Sequence, residues 1–390
     1  MAPQNRDSVN ELEEPVGVDN TSAIDLKTVR AAIPRECFEI STLKGFAYYV
    51  QDLAIICGLY AARLYLLTPF FDGEYGTAAS LAARFVWWNA VGFMLWAWFV
   101  VGHDCGHGTF SRNATVNAVM GRVAHVPILV PYHAWRQSHR IHHTYHNDLG
   151  RDKTWSPVTE SHLSVWNATT WPGAIYRAIR YSPFMLLMFP YYLLAPGGNL
   201  TYGNHYNPFN NQLFPTASDK LQCVIDLVLN STFVGTILYL ALSQDDAWAG
   251  FVAAWDWYFV PYWINTAWLS LVTYLHHTSP ESRFFRGPAW SFTKGAETTI
   301  DRNYGSLLNY LHHNIETHFV HHLFFTKIPH YHLVKATEAV KPVLGDTYVK
   351  DERNPLVTFV KELATCRFVP DAGTEVKFVK GRDAAKAKKA

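Results

Sequence analysis

Four apolar runs, at 46–67, 81–102, 222–242 and 250–275, decide most of what this chain can fold into. Each is long enough, as a helix, to cross a hydrocarbon core of about 30 Å. Asp52 and Arg63 interrupt the first run, so one of its faces must look into protein rather than lipid. The stretches that join the runs in pairs, 68–80 and 243–249, carry Asp72, Glu74, Asp245 and Asp246 but no Lys or Arg. Nearly all basic residues lie in the N-terminal, middle and C-terminal parts. By the positive-inside rule both hairpin tips then face the lumen and both termini the cytosol. The expected fold class is an all-α integral membrane protein, with four transmembrane helices and a cytosolic helical cap.

Composition agrees with this layout. Charged residues make up only 17% and aromatics 15%, which suits spans and membrane interfaces. Lys and Arg number 33 against 32 Asp and Glu, so nothing points to nucleic acid as a partner. The five cysteines form no CxxC pair, which argues against structural zinc and a disulfide framework. The acidic start has no apolar core of a secretory signal and no Arg/Ser bias of a transit peptide. Residues 1–25 read as a disordered cytosolic tail and 26–350 as the folded domain. Residues 351–390 read as a cytosolic C-terminal tail. Within the domain, 26–45 suggests an amphipathic helix on the membrane surface, stopped by Pro34. The short apolar stretches 117–131 and 184–195 read as interfacial.

Three histidine clusters follow the spans: His103 and His107; His139, His142 and His143; His318, His321 and His322. Each uses i, i+3 or i+4 spacing, which puts its rings on one helix face. The charge-derived topology places all three in one compartment. Eight imidazoles exceed the needs of a single metal, so the pattern predicts a histidine-rich site for two metals with open positions. Imidazole suits iron, copper, zinc and nickel, and the ligands leave that choice open. Soluble di-iron bundles use Glu with Glu-x-x-His instead. Here Asp104, Asp148 and Glu316 are expected only to orient imidazole N–H groups. His276, His277 and His312 are candidates for an extra ligand. His125, His133, His146, His162, His205, His330 and His332 are expected to hydrogen-bond locally, and His313 to be a neighbour.

These motifs carry a resemblance. HDCGH at 103–107, LVPYHAWRQSHRIHH at 129–143, DRNYG at 301–305 and HFVHH at 318–322 resemble the membrane-bound fatty acid desaturases. AIPRECFE at 32–39 is similar to that family's segment ahead of the membrane. The subgroup is the methyl-end enzymes, delta-12 and omega-3, in an animal-like mixture. The resemblance implies two non-haem iron ions at the eight clustered histidines and O2 as co-substrate. It also implies removal of hydrogen from two neighbouring methylenes to leave a cis double bond. YLHH at 274–277 and the string 328–345 lean to omega-3. Thr278 and HNIETH at 313–318 lean to delta-12. The reading taken forward is omega-3, on an n-6 C18 or C20 acyl chain of a phospholipid.

The alternatives are delta-12 action on oleate, a related fatty acyl hydroxylase and, from another class, a metal transporter. A transporter would be expected to carry more ionisable residues inside its spans than Asp52, Arg63, Asp226 and Asp256. The chain has no His-Pro-Gly-Gly haem string, so the resemblance implies a separate cytochrome b5 with its reductase as electron donor. The ending Lys-Ala-Lys-Lys-Ala at 386–390 has the form of a dilysine retrieval signal, which predicts the endoplasmic reticulum membrane. The sequons at Asn113, Asn167 and Asn199 are expected to stay unglycosylated in this topology. A homo-oligomer is left open.

Overall fold

The computed structural model describes residues 24–162, 175, 178–180, 182–195 and 202–379. The tail expected before residue 24, the sequons at Asn167 and Asn199 and the basic ending at 386–390 lie outside them.

The chain is mostly helical, and one helix, Thr77–His107, forms its axis. Before it come a short helix α1 (Leu26–Ala32) and α2 (Thr42–Tyr65), so the axis is α3. Two helices follow, α4 (Ala114–His125) and α5 (Tyr132–Thr144), then α6 (Ala217–Leu242). The helices α2, α3 and α6 are long and apolar enough to cross a membrane. Their burial differs: α2 and α6 turn Leu53, Leu64, Val228 and Leu240 outward, while α3 is buried continuously from Val91 to Cys105. An apolar face left exposed on such helices is what lipid would cover.

The fourth expected span, 250–275, is not one regular helix. It runs as α7 (Ala247–Ala254), a π turn (Trp255–Phe259) and α8 (Val260–His277). Pro261 is the cause. It has no N–H to give to the carbonyl four residues back, and its ring crowds that carbonyl. The ladder widens instead, with Val260 N bonding to Trp255 O. The carbonyl of Trp257 is taken by the Tyr60 hydroxyl at 2.9 Å, and that of Asp256 by Trp88 Nε1 at 2.8 Å. Among the described residues, three uninterrupted membrane-length helices therefore stand where four were expected. Below the break α8 packs closely on α3, where Gly92 permits the approach. A Cβ there would stand 2.5 Å from Cβ of Ile264.

The polar residues in the first span face protein, as their cost in lipid requires. Asp52 accepts from His313 Nε2 at 2.7 Å. Arg63 pairs with Asp256 and lies over the rings of Phe71, Trp87 and Trp257.

Two corrections concern the ends. The helix α1 does not lie free on a membrane surface. Val29, Ile33 and Cys37 are buried with Leu333, Ala336 and Val340 of α10 (His330–Leu344), which follows α9 (His318–Phe324). The supposed C-terminal tail is also folded as far as it is described. The described residues include four short strands, β1 (Arg283–Phe285), β2 (Asp301–Arg302), β3 (Lys350–Asp351) and β4 (Glu375–Lys377). The pair β2–β3 is parallel and β1–β4 antiparallel. Between β3 and β4, α11 (Pro355–Thr365) seats Phe359 against Tyr274 of α8. Phe359, Leu363, Val369, Val376 and Phe378 are buried, and that apolar content is why the segment folds.

Candidate metal centre

The helix α3 ends at His107 because Gly108 adopts a left-handed conformation, φ 76°. His103 and His107 stand one turn apart with their Nε2 atoms 3.1 Å from each other. On α5, His139 and His143 repeat the arrangement, again 3.1 Å between Nε2 atoms. On α9, His321 and His322 are consecutive and diverge around the axis.

Packing sorts these rings into two groups that cut across the sequence clusters. The ligand atoms of His103, His107, His139, His143 and His321 all lie within 4.8 Å of one another. Those of His142, His146, His277 and His322 do likewise. Thus α5 sends His139 and His143 to one group and His142 to the other. The helix α9 divides between them in the same way. His318 belongs to neither group but stands beside the second, its ring 4.8 Å from that of His322 and 5.1 Å from that of His277. Of the extra candidates, only His277 joins a group. His276 lies against His318, ring centroids 4.4 Å apart. His312 is occupied elsewhere, accepting from Trp96 Nε1 at 3.3 Å and facing Glu316 at 3.3 Å.

His146 was expected to bond locally, yet it sits in the second group. It lies just past the end of α5, where Asn147 takes a positive φ of 57°. The carbonyl of His146 accepts from Trp290 Nε1 at 2.9 Å, which fixes the turn. The signal was present: His146 is four residues after His142, one helical turn on.

The carboxylates differ from expectation as well. Asp148 serves Gly150 N at 2.8 Å and the Arg151 side chain rather than any histidine. Asp152 takes that part, accepting from His142 Nδ1 at 2.9 Å. Asp104 binds His330, at 2.8 Å to Nδ1 and 3.0 Å to the backbone N, and stays 3.9 Å from His103 Nδ1. Glu316 faces His312, outside both groups.

Burial disfavours the charged form of several of these rings. Burial first, and the mutual repulsion of neighbouring rings second, hold His139, His143, His146, His318 and His322 well below the ordinary histidine value. Burial does the same to His321. Neutral imidazole is the form that ligates metal. Several ring nitrogens also lack a hydrogen-bond partner among the described residues. They include Nδ1 of His143 and His277, Nε2 of His146 and His321, and both nitrogens of His322. An unpaired buried polar atom costs about 1–3 kcal/mol. Two convergent sets of such nitrogens, with no carboxylate in either, fit a pair of transition-metal ions.

The comparisons agree with this chemistry. A family model described as "Fatty acid desaturase" matches residues 79–352. A relative from Nostoc sp. (strain 36), the "sn-1 acyl-lipid omega-3 desaturase (ferredoxin)", is 38% identical over 97% of this chain and 98% of its own length. A chloroplastic "sn-2 acyl-lipid omega-3 desaturase (ferredoxin)" from Helianthus annuus is 41% identical over 89% of this chain and 74% of its own length. A Synechocystis relative with the same name as the first is 38% identical over 90% of each. These sources are cyanobacterial and plant, which gives no support to an animal-like assignment. Their names specify ferredoxin, and this overturns the expected cytochrome b5 and its reductase. The missing haem string concerned only a haem segment within these 390 residues. It could not choose among separate carriers.

Proposed function

The chain belongs to the fatty acid desaturase family and is an oxidoreductase, and from that premise we propose an O2-dependent omega-3 desaturation of an acyl lipid. The observation that carries the reading is the pair of buried histidine groups with unpartnered nitrogens, in a chain aligned almost end to end with an omega-3 desaturase. The substrate is an n-6 C18 or C20 acyl chain, and the product its n-3 counterpart. One O2, two electrons and two protons are consumed. The two hydrogens removed from neighbouring methylenes leave with the oxygen as two waters. We propose a ferredoxin as the electron source.

Two iron ions are proposed at the histidine groups. The first would be held by His103, His107, His139, His143 and His321, the second by His142, His146, His277 and His322, with His318 adjacent. Bound iron supplies the activation of O2. The chain supplies the rest. Burial disfavours protonation of His139, His143, His146, His321 and His322 and excludes water, which protects a reactive site from side reactions. Asp152 fixes the ring of His142 by holding its Nδ1 proton. An alkyl chain offers no acid–base handle, so positioning matters more than proton transfer to the substrate.

We propose four crossings, the fourth made by α7, the π turn and α8 together. The histidine face and both termini then share the side that holds the donor. The endoplasmic reticulum rests on 386–390 alone, and microscopy of the chain with and without those residues tests it. Activity is tested by expression with a ferredoxin system in a host that makes no n-3 acids, fed 18:1, 18:2 and 20:4 separately. Gas chromatography should show n-3 products from 18:2 or 20:4. Conversion of 18:1 alone would mean delta-12 action, and a hydroxylated product would mean hydroxylase chemistry. Readily exchanging metal without any new acid would favour transport.

A further inference from the structure

The DRNYG string at 301–305 has no atom in either histidine group, yet its first two residues touch two of the helices that build them. Asp301 and Arg302 form β2, and both are buried, 1% and 2% exposed. Asp301 serves the start of α9. Its Oδ1 accepts from His318 N at 2.7 Å and Phe319 N at 2.8 Å. Thr317, at the N-cap position, gives its hydroxyl to Asn314 O and caps nothing. The carboxylate therefore does from another strand what a cap residue does from within a helix.

Arg302 serves the end of α8. Its Nε donates to Leu275 O at 2.8 Å and its terminal nitrogen to Thr278 O at 3.2 Å. Ile300 N adds a bond to His276 O at 3.0 Å. These are last-turn carbonyls, which a helix cannot satisfy itself. The guanidinium is held in turn by Asp351 and, at 3.3 Å, by Glu362. The strand is fixed by Asp301 N on Val349 O at 3.0 Å and by the Tyr348 hydroxyl on Asp301 Oδ2 at 2.8 Å.

We propose that Asp301 and Arg302 are positioning residues for the second histidine group, setting the end of α8 against the start of α9 so that His277 and His322 meet. The inference rests on the two-metal reading of the site. It assigns the folded C-terminal segment a role, because Asp351 and Glu362 come from it. The two residues act on different ligands. The Arg302 side chain serves only the helix end that carries His277, while its backbone N–H goes to Glu316 O, so changing that side chain should affect the second group. Asp301 governs α9, which gives His321 to the first group and His322 to the second, so its loss should disturb both.

The test uses the full chain with Arg302→Lys, Asp301→Ala and Asp301→Asn. Amide hydrogen exchange of the metal-free protein and the iron content of the loaded protein are both measured. Arg302→Lys should speed exchange at 274–278 by about tenfold or more and lower iron from about two per chain to about one. Asp301→Ala should speed exchange at 318–320 and reduce both irons. Asp301→Asn keeps an acceptor oxygen and should restore most of each. Unchanged exchange at 274–278 in Arg302→Lys overturns the proposal. So does a uniform rise in exchange with loss of both irons, which would mean general destabilisation. If Arg302→Lys does not fold, Glu362→Gln replaces it. That variant removes one anchor of the guanidinium and should give a smaller change in the same direction, no change being adverse. Wild-type iron content by itself tests the two-metal reading, and exchange in the metal-free chain tests the clamp without it.

Discussion

His146 and Asp152 show what decides a site at the scale of single residues. Neither belongs to a dense cluster, but each meets His142 once the turn after α5 closes. His146→Ala should therefore remove the second iron and leave the first, a fall from about two to about one per chain by elemental analysis. Retention of both irons would exclude it as a ligand. The same burial makes the metal-free site sensitive to acid. Folded pKa values of His139, His143, His146, His318, His321 and His322 lie below the unfolded value near 6.5. Their contribution to stability is complete above that value and is lost as pH falls through it toward the folded values. Asp301 and Glu362 run the other way. Burial pushes them up to about 6 and about 7, so they favour the fold at low pH and lose that contribution as pH rises. The histidines titrate nearer this interval than Asp301 does, and they set the expected direction. The melting temperature of the metal-free chain should fall between about pH 7.5 and about pH 5.5. A rise over that interval would show that the carboxyls dominate.

Among the elements, α8 and α11 depend on each other. The π turn at Trp255–Phe259 offsets α8 from α7, and the end of α8 is then tied to α11 through Arg302, Glu362 and the Tyr274–Phe359 contact. Removing α11 would leave Arg302 with fewer partners for its buried charge, and breaking such a pair costs about 3–5 kcal/mol. A chain truncated after residue 350 should thus melt lower and lose desaturation, whereas truncation after residue 379 should be nearly neutral. Equal activity of the two truncations, read as product fatty acid, would count against a structural role for α11. The lengths and spacings of α2, α3 and α6 were legible because membrane crossing demands a long apolar run. The folding of 351–379 was not, because its buried residues are scattered and find their partners far back in the chain, on Phe284 of β1, Tyr274 of α8, Arg302 of β2 and the backbone of Val158.

For the whole molecule, orientation is the property that charge predicts and packing must respect. Asn113 lies soon after the end of α3, on the side of the histidines. Its Oδ1 caps α4 by accepting from Thr115 N at 2.9 Å and Val116 N at 3.2 Å. Endoglycosidase treatment should leave the mobility of the expressed chain unchanged, and a shift removed by Asn113→Gln would reverse the orientation. The sequence by itself determined the family, the apolar runs and the eight clustered histidines, since each is local and needs only spacing or composition. The tertiary structure alone decided how those histidines divide into two groups, and it placed His146 and His277 among them. It also chose Asp152 over Asp148 and broke the fourth apolar run at a π turn. The physical reason is that α3, α5, α8 and α9 meet through contacts between residues far apart in the chain. Helical periodicity says which face a ring occupies, but only the crossing of helices says which other rings it will face.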